Sequence, residues 1–269
     1  MTAWHEDFLT VNDASMHYLR SGAGDTHRPL LMLHGFTDSA RNCEVFAREL
    51  TADYDVILMD ARGHGLSSDA PTNYSLADQA QDVADFIIGL GLSKPAIFGH
   101  SIGAATAVQV AFQHPDLLSR VILEDPPFRS TFPQVDHSEW KASLTAFKQR
   151  PYEEQLAEAL REHAHWGDDE NRSWIESKKK FDLRMFDTPL ANVFLNWREI
   201  APHMTTPGLL ITGDPELGAI VRDDVTQELL TLWKTLTTVP IENAGHSIRR
   251  DQFGPFMHIV KEYLREHYA

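Results

Sequence analysis

The sequence predicts an α/β fold: a mostly parallel central sheet flanked by helices on both faces, with a helical insertion after the sixth strand. Three observations predict it. Short, continuous apolar runs recur along the chain, as expected of strands buried on both faces. Amphipathic or alanine-rich helical patterns separate them. The alternation breaks once, between about residues 128 and 200, where only helical patterns remain.

The elements follow in order. Phe8–Asn12 and Met16–Arg20 alternate around Asn-Asp and read as an opening hairpin, β1 and β2. Pro29–Leu33, Asp55–Met59, Pro95–Phe98, Val121–Leu123 and Gly208–Ile211 are the buried runs, β3 to β7, and Thr237–Ile241 is a shorter β8. Helical patterns cover Asn42–Leu50, Leu76–Leu90, Ile102–Phe112, Asp223–Trp233 and Phe253–His267. In the insertion they cover Ser138–Lys148, Tyr152–His163 and Asp169–Lys180, and Lys178–Lys180 reads as a solvated helix end. This divides the chain into a core, 1–127 with 201–269, and a helical cap, 128–200.

Bulk properties narrow the function. The 269 residues are 42% apolar and 23% charged, enough for a full core. The formal net charge of −15 disfavours nucleic acid and anionic membranes as partners. The single cysteine, Cys43, forms no intrachain disulfide and reads as an ordinary buried or half-buried thiol. MTAWHEDFLT has neither the basic nor the apolar segment of a signal peptide, so a cytoplasmic protein is expected. Oligomeric state leaves no trace in the sequence.

The chemistry starts at Gly99-His100-Ser101-Ile102-Gly103, a G-x-S-x-G between a buried strand and an alanine-rich helix. A strand that becomes a helix within two residues crowds its own backbone. Glycines two positions either side of the serine relieve the clash and leave the hydroxyl raised at the sheet edge. The helix N-terminus that follows aims N–H groups at the same place, which favours a developing anion.

Together with Leu33-His34-Gly35-Phe36, Asp60-Ala61-Arg62-Gly63-His64-Gly65-Leu66-Ser67 and Asn243-Ala244-Gly245-His246-Ser247, this pentapeptide gives four motifs in the order found in the α/β-hydrolase superfamily. Over nearly its whole length the chain resembles a capped, serine esterase- or lactonase-like member of it. The resemblance implies Ser101 as nucleophile, His246 as its base, and the backbone N–H groups of Phe36 and Ile102 as oxyanion hole. His34 and His100 are expected to brace loops, and Arg62 and His64 to be structural.

The acid is the open position. Counting three residues past Gly213, where the family usually carries aspartate, gives Glu216; Asp214 is its rival. Some members draw the acid from the end of β6, here Glu124-Asp125-Pro126-Pro127, which makes Asp125 or Glu124 a third route. Otherwise these two carboxylates would accept backbone N–H bonds at the entry to the cap.

Four of six tryptophans, Trp140, Trp166, Trp174 and Trp197, lie in the insertion with Phe128, Phe132, Phe147, Tyr152, Phe181, Phe186 and Phe194. They either line a hydrophobic substrate pocket or simply glue the cap down. Arg129, Arg184 and Arg198 are candidates for holding a substrate carboxylate. The leading expectation is hydrolysis of a small ester or lactone through an acyl-serine, with no cofactor and no metal. Alternatives are a carbon–carbon bond hydrolase or cofactor-free perhydrolase on the same residues, and a small-molecule receptor that keeps them. Dehalogenases and epoxide hydrolases of this superfamily use aspartate where Ser101 stands, which disfavours both.

Overall fold

A computed structural model describes residues 4–22, 27–68, 74–129, 137–187 and 195–268. Eight strands form one sheet: β1 (His5–Val11), β2 (Ala14–Arg20), β3 (Arg28–Leu33), β4 (Tyr54–Met59), β5 (Ala96–His100), β6 (Arg120–Glu124), β7 (Gly208–Thr212) and β8 (Leu236–Pro240). Their order is β1-β2-β4-β3-β5-β6-β7-β8. β1 pairs antiparallel with β2, and β2 with β4; every other pairing is parallel.

The helices are α1 (Glu44–Arg48), α2 (Leu76–Gly89), α3 (Ile102–Gln113), α4 (Ser138–Gln149), α5 (Tyr152–Glu162), α6 (Asp168–Lys180), α7 (Trp197–Ile200), α8 (Asp223–Leu232), α9 (Ile248–Asp251) and α10 (Phe253–His267). Every strand and long helix expected from the sequence is present, with ends shifted by a few residues.

The continuous apolar runs have a direct cause. Successive strand side chains point to opposite faces, and here both faces are covered. Leu31, Leu33, Ile97, Val121, Leu123 and Leu210 pack with α2, α3 and α8 on one side. Leu30, Met32, Phe98, Ile122, Leu209 and Ile211 pack with Phe46 of α1 and with Phe256, Val260 and Leu264 of α10 on the other.

Register sets the site. Leu33 pairs with Gly99, and Gly99 and His100 pair with Leu123 and Glu124. The C-terminal ends of β3, β5 and β6 therefore lie side by side at one edge of the sheet, the edge where parallel α/β sheets bind ligands.

α4 to α7 occupy the interval between β6 and β7, which are themselves neighbours, and no strand interrupts the described residues of that interval. Residues of this interval contact the rest of the chain at several points. Asn42 Nδ2 donates to Ser173 Oγ at 3.1 Å. The Asp182 N–H donates to Gly63 O at 3.0 Å. The Tyr74 hydroxyl donates to the Asp182 carboxylate.

Candidate active site

Ser101 follows the last residue of β5 and precedes α3, with φ 54° and ψ −120°. A non-glycine residue at that φ is strained by roughly 1–3 kcal/mol, so its surroundings must hold it there. The Ser101 N–H donates to Glu124 O at 2.9 Å, and the Ser101 carbonyl accepts from the Ala104 and Ala105 N–H groups at 3.0 and 3.1 Å. The flanking glycines are required sterically. A Cβ on Gly99 would stand 2.5 Å from the Gly103 carbonyl, and one on Gly103 would stand 2.5 Å from the carbonyl oxygens of Leu33 and His34.

His246 lies in the loop after β8. Its Nε2 is 3.0 Å from Ser101 Oγ, and its Nδ1 is 2.6 Å from Asp125 Oδ2. A carboxylate can only accept from Nδ1–H, so the neutral ring carries its proton there and leaves Nε2 to accept from the serine hydroxyl. The His246 carbonyl accepts from His100 Nε2 at 3.0 Å. Burial holds the His100 imidazole well below its usual pKa and hence neutral.

The carboxylate on His246 corrects the sequence expectation. It is Asp125, neither Glu216 nor Asp214. Asp214 turns its side chain back to accept from the Glu216 N–H at 2.9 Å, capping the short turn Pro215–Leu217. That turn leaves Glu216 exposed. Asp125 is fully buried one residue past β6 and has φ 41°. Its carboxylate also accepts from Ile220 N–H at 2.8 and 3.1 Å and from Val221 N–H at 2.9 Å. The neighbouring Glu124 points the other way. It accepts from the Arg249 guanidinium at 2.6 Å and from the Arg249 N–H at 2.7 Å.

The β3 loop supplies the facing side. Neither the Phe36 nor the Ile102 N–H has an intramolecular acceptor among the described residues, so both remain available to a ligand oxygen. His34 bridges two loops: its Nδ1–H donates to Gly35 O at 2.8 Å and its Nε2 accepts from Ala61 N–H at 3.0 Å. His64 lies 2.6 Å from Phe36 O and 2.9 Å from Arg62 O, and burial brings its pKa down to about 4. Arg62 is buried in an ion pair with Asp82. His34 here and His100 above tie loops together, and Arg62 and His64 are held in structural contacts.

The insertion touches this loop directly. The Phe36 ring sits among Trp140, Phe181 and Phe186, with centroids 5.2, 5.2 and 5.5 Å away. Phe181 and Phe186 are buried in that cluster, whereas Trp140 is 43% exposed. Trp166 and Trp174 belong to a separate cluster with His163. Trp197 is buried and donates its indole N–H to Arg129 O at 3.1 Å. Phe132 and Phe194 lie outside the described residues. Arg184 and Arg198 are engaged with Asp182 and Glu228. Of the three candidate arginines, Arg129 alone has no carboxylate partner among the described residues.

Residues 28–206 match the family model described as alpha/beta hydrolase fold. The chain belongs to that family. This hydrolase is 25% identical over 266 residues to N-formylmaleamate deformylase of Pseudomonas putida, covering 95% of each chain. It is 25% identical over 254 residues to esterase YbfF of Escherichia coli, covering 88% of this chain and 93% of the relative. The crystal structure of an N-formylmaleamic acid deformylase from Pseudomonas putida superposes with a TM-score of 0.82 at 24% identity, covering 95% of this chain and all of that one. Family and relatives together support a hydrolase activity. No helix among its described residues is long and apolar enough to cross a membrane. No group of three or more His, Cys, Asp or Glu side chains there is gathered as a metal site.

Proposed function

We propose that this hydrolase cleaves an acyl bond, an ester or lactone of a small and largely hydrophobic molecule, through an acyl-serine intermediate. The observation that carries the reading is the chain of contacts from Ser101 Oγ to His246 Nε2 and from His246 Nδ1 to Asp125.

Ser101 Oγ attacks the substrate carbonyl while His246 Nε2 takes its proton. Asp125 keeps Nδ1 protonated and stabilises the imidazolium that forms. The negative charge on the carbonyl oxygen falls to the N–H groups of Phe36 and Ile102, at the start of α3. His246 then returns the proton to the leaving alcohol oxygen. Water enters, gives its proton to His246 and attacks the acyl group, and the carboxylic acid leaves as Ser101 regains its hydrogen. Both halves need His246 to switch between base and acid, which an exchangeable Nε2 proton allows.

In this reading residues 128–200 form a cap, and the half-exposed Trp140 beside Phe36 supplies apolar surface at the acyl end. Likeness to a full-length esterase supports the ester as substrate class. Likeness to a deformylase over 95% of both chains supports a second class, an N-acyl bond cleaved by the same steps with a nitrogen leaving group.

The test is multiple turnover on a panel of aryl and alkyl esters, lactones and N-formyl amides, wild type beside Ser101→Ala. Ser101-dependent turnover on an ester or lactone is expected. Turnover on formyl amides alone favours the second class. Turnover that survives Ser101→Ala refutes the mechanism.

A further inference from the structure

Three consecutive residues of the β3 loop are gripped by the insertion. Phe36 is held through its ring. The Thr37 hydroxyl accepts from Lys178 Nζ of α6 at 3.0 Å. Asp38 lies 3.7 Å from the same Nζ and 3.1 Å from Arg250. Arg250 pairs in turn with Glu170, also on α6. A solvated end was expected of Lys178, yet its side chain is only 12% exposed and its ammonium lies 4.2 Å from the Trp174 ring centroid.

The charges close on themselves. Asp38, Glu124 and Glu170 face Lys178, Arg249 and Arg250, three carboxylates against three cations. The group spans the β3 loop, the residue beside Asp125, α9 directly after His246, and α6 of the insertion. Removing the charge of Lys178 leaves one buried carboxylate uncompensated beside the loop that carries the Phe36 N–H.

We propose that Lys178 is a positioning residue for this loop, so that the Phe36 N–H meets the developing oxyanion only when α6 of the insertion is seated. This rests on the acyl-serine reading above. The insertion is then part of the catalytic apparatus as well as a cover. Reaction is confined to the closed arrangement because opening would release Thr37 and Asp38 together.

A pH signature follows. Burial brings the Lys178 ammonium down to about 8, against the pull of Asp38. The groups facing it are Thr37 and Asp38 from the β3 loop, Arg250 from α9 and Trp174 from its own helix; Asp38 in turn faces Arg249 and His100. Burial alone would raise the Asp38 carboxyl, but Arg250, Lys178 and Arg249 outweigh it, and it stays ionised throughout the working range. Above about pH 8 the clamp therefore loses its cation and keeps its anion.

The experiment compares wild type with Lys178→Met, Lys178→Arg and Thr37→Val, using Lys179→Met as a neighbouring control. It reads kcat and KM on the best ester, and the affinity of an arylboronic acid whose adduct on Ser101 places an oxygen where the oxyanion forms. Lys178→Met is expected to lose about ten- to hundredfold in kcat, less than the ~10²–10³ of deleting an oxyanion donor, with KM nearly unchanged. Boronate affinity should fall in parallel. Lys178→Arg should recover part of the loss, Thr37→Val should show a smaller loss of the same kind, and Lys179→Met none. Wild-type kcat should decline as pH rises through about 8, and Lys178→Met should lack that limb. Wild-type kcat in a folded Lys178→Met, or in Thr37→Val should the first not fold, overturns the proposal. So does a fall in kcat with boronate affinity intact. Absence of Ser101-dependent turnover and boronate binding in the wild type instead overturns the acyl-serine reading on which it rests.

Discussion

Replacing Asp125 by asparagine keeps the shape of the side chain and changes only its hydrogen-bonding capacity. The carboxylate serves three N–H donors: Oδ2 faces His246 Nδ1 at 2.6 Å and Ile220 N–H at 2.8 Å, and Oδ1 faces Val221 N–H at 2.9 Å and Ile220 N–H at 3.1 Å. An amide has one acceptor oxygen. With that oxygen on the Oδ2 side, its NH2 confronts the Val221 donor and leaves it unpaired. With the oxygen on the Oδ1 side, Val221 is satisfied and the NH2 faces Nδ1, which can accept if the histidine moves its own proton to Nε2. The second arrangement leaves fewer buried donors unpaired, each of which costs ~1–3 kcal/mol. It is also the wrong tautomer, because a protonated Nε2 cannot take the proton of Ser101. Losses of ~10⁴ in kcat attend this error in serine triads, or about 5 kcal/mol of transition-state stabilisation. Steady-state kinetics on the best ester should show that drop with KM little changed. Glu216→Gln and Asp214→Asn should both stay within about threefold of wild type. A near-normal Asp125→Asn, or a larger drop in Glu216→Gln, would refute the assignment.

Three further outcomes are expected. Gly103→Ala puts a Cβ 2.5 Å from two carbonyl oxygens of the β3 loop; urea unfolding should show a loss of about 1–3 kcal/mol, with kcat also reduced, and an unchanged midpoint would contradict the packing argument. His64, held down to about 4 by burial, has a folded pKa below its ordinary 6.5, so the unfolded chain takes up a proton that the native state refuses. Stability should fall as pH drops from about 6.5 to about 4, by roughly 3 kcal/mol from this group, and His64→Gln should flatten the curve; parallel curves would exclude the effect. Cys43 is fully buried with its thiol pushed up to about 12, so a disulfide reagent at pH 8 should leave it untouched natively and label it fully in denaturant.

The fold was legible because its signals are local. Strands covered on both faces read as unbroken apolar runs, and Gly99 reports a clash with Gly103 within five residues of chain, although Gly103 itself makes room for the carbonyls of Leu33 and His34. The meeting of Ser101 with His246 was legible as motif and order. The carboxylate that faces His246 was misread because a count from Gly213 assumes a regular loop, whereas Asp214 folds back on the Glu216 N–H and Pro215–Leu217 forms a turn. A signal did exist in Glu124-Asp125-Pro126-Pro127. Glu124 is the last strand residue and Asp125 lies just beyond, so the two carboxylates diverge, one to Arg249 and one to His246. Asp125 also accepts the two backbone N–H bonds considered as its alternative role. The burial of Lys178 was not legible. Its partners, Thr37, Asp38 and Arg250, come from segments distant in sequence, and a run of three lysines reads locally as solvated.

The most direct test of the account is intact-mass spectrometry of protein quenched during turnover of an aryl ester. The account predicts one acyl group per chain, mapping to the peptide that contains Ser101 and absent from Ser101→Ala. Turnover with no adduct at Ser101, or an adduct that persists in Ser101→Ala, would contradict it.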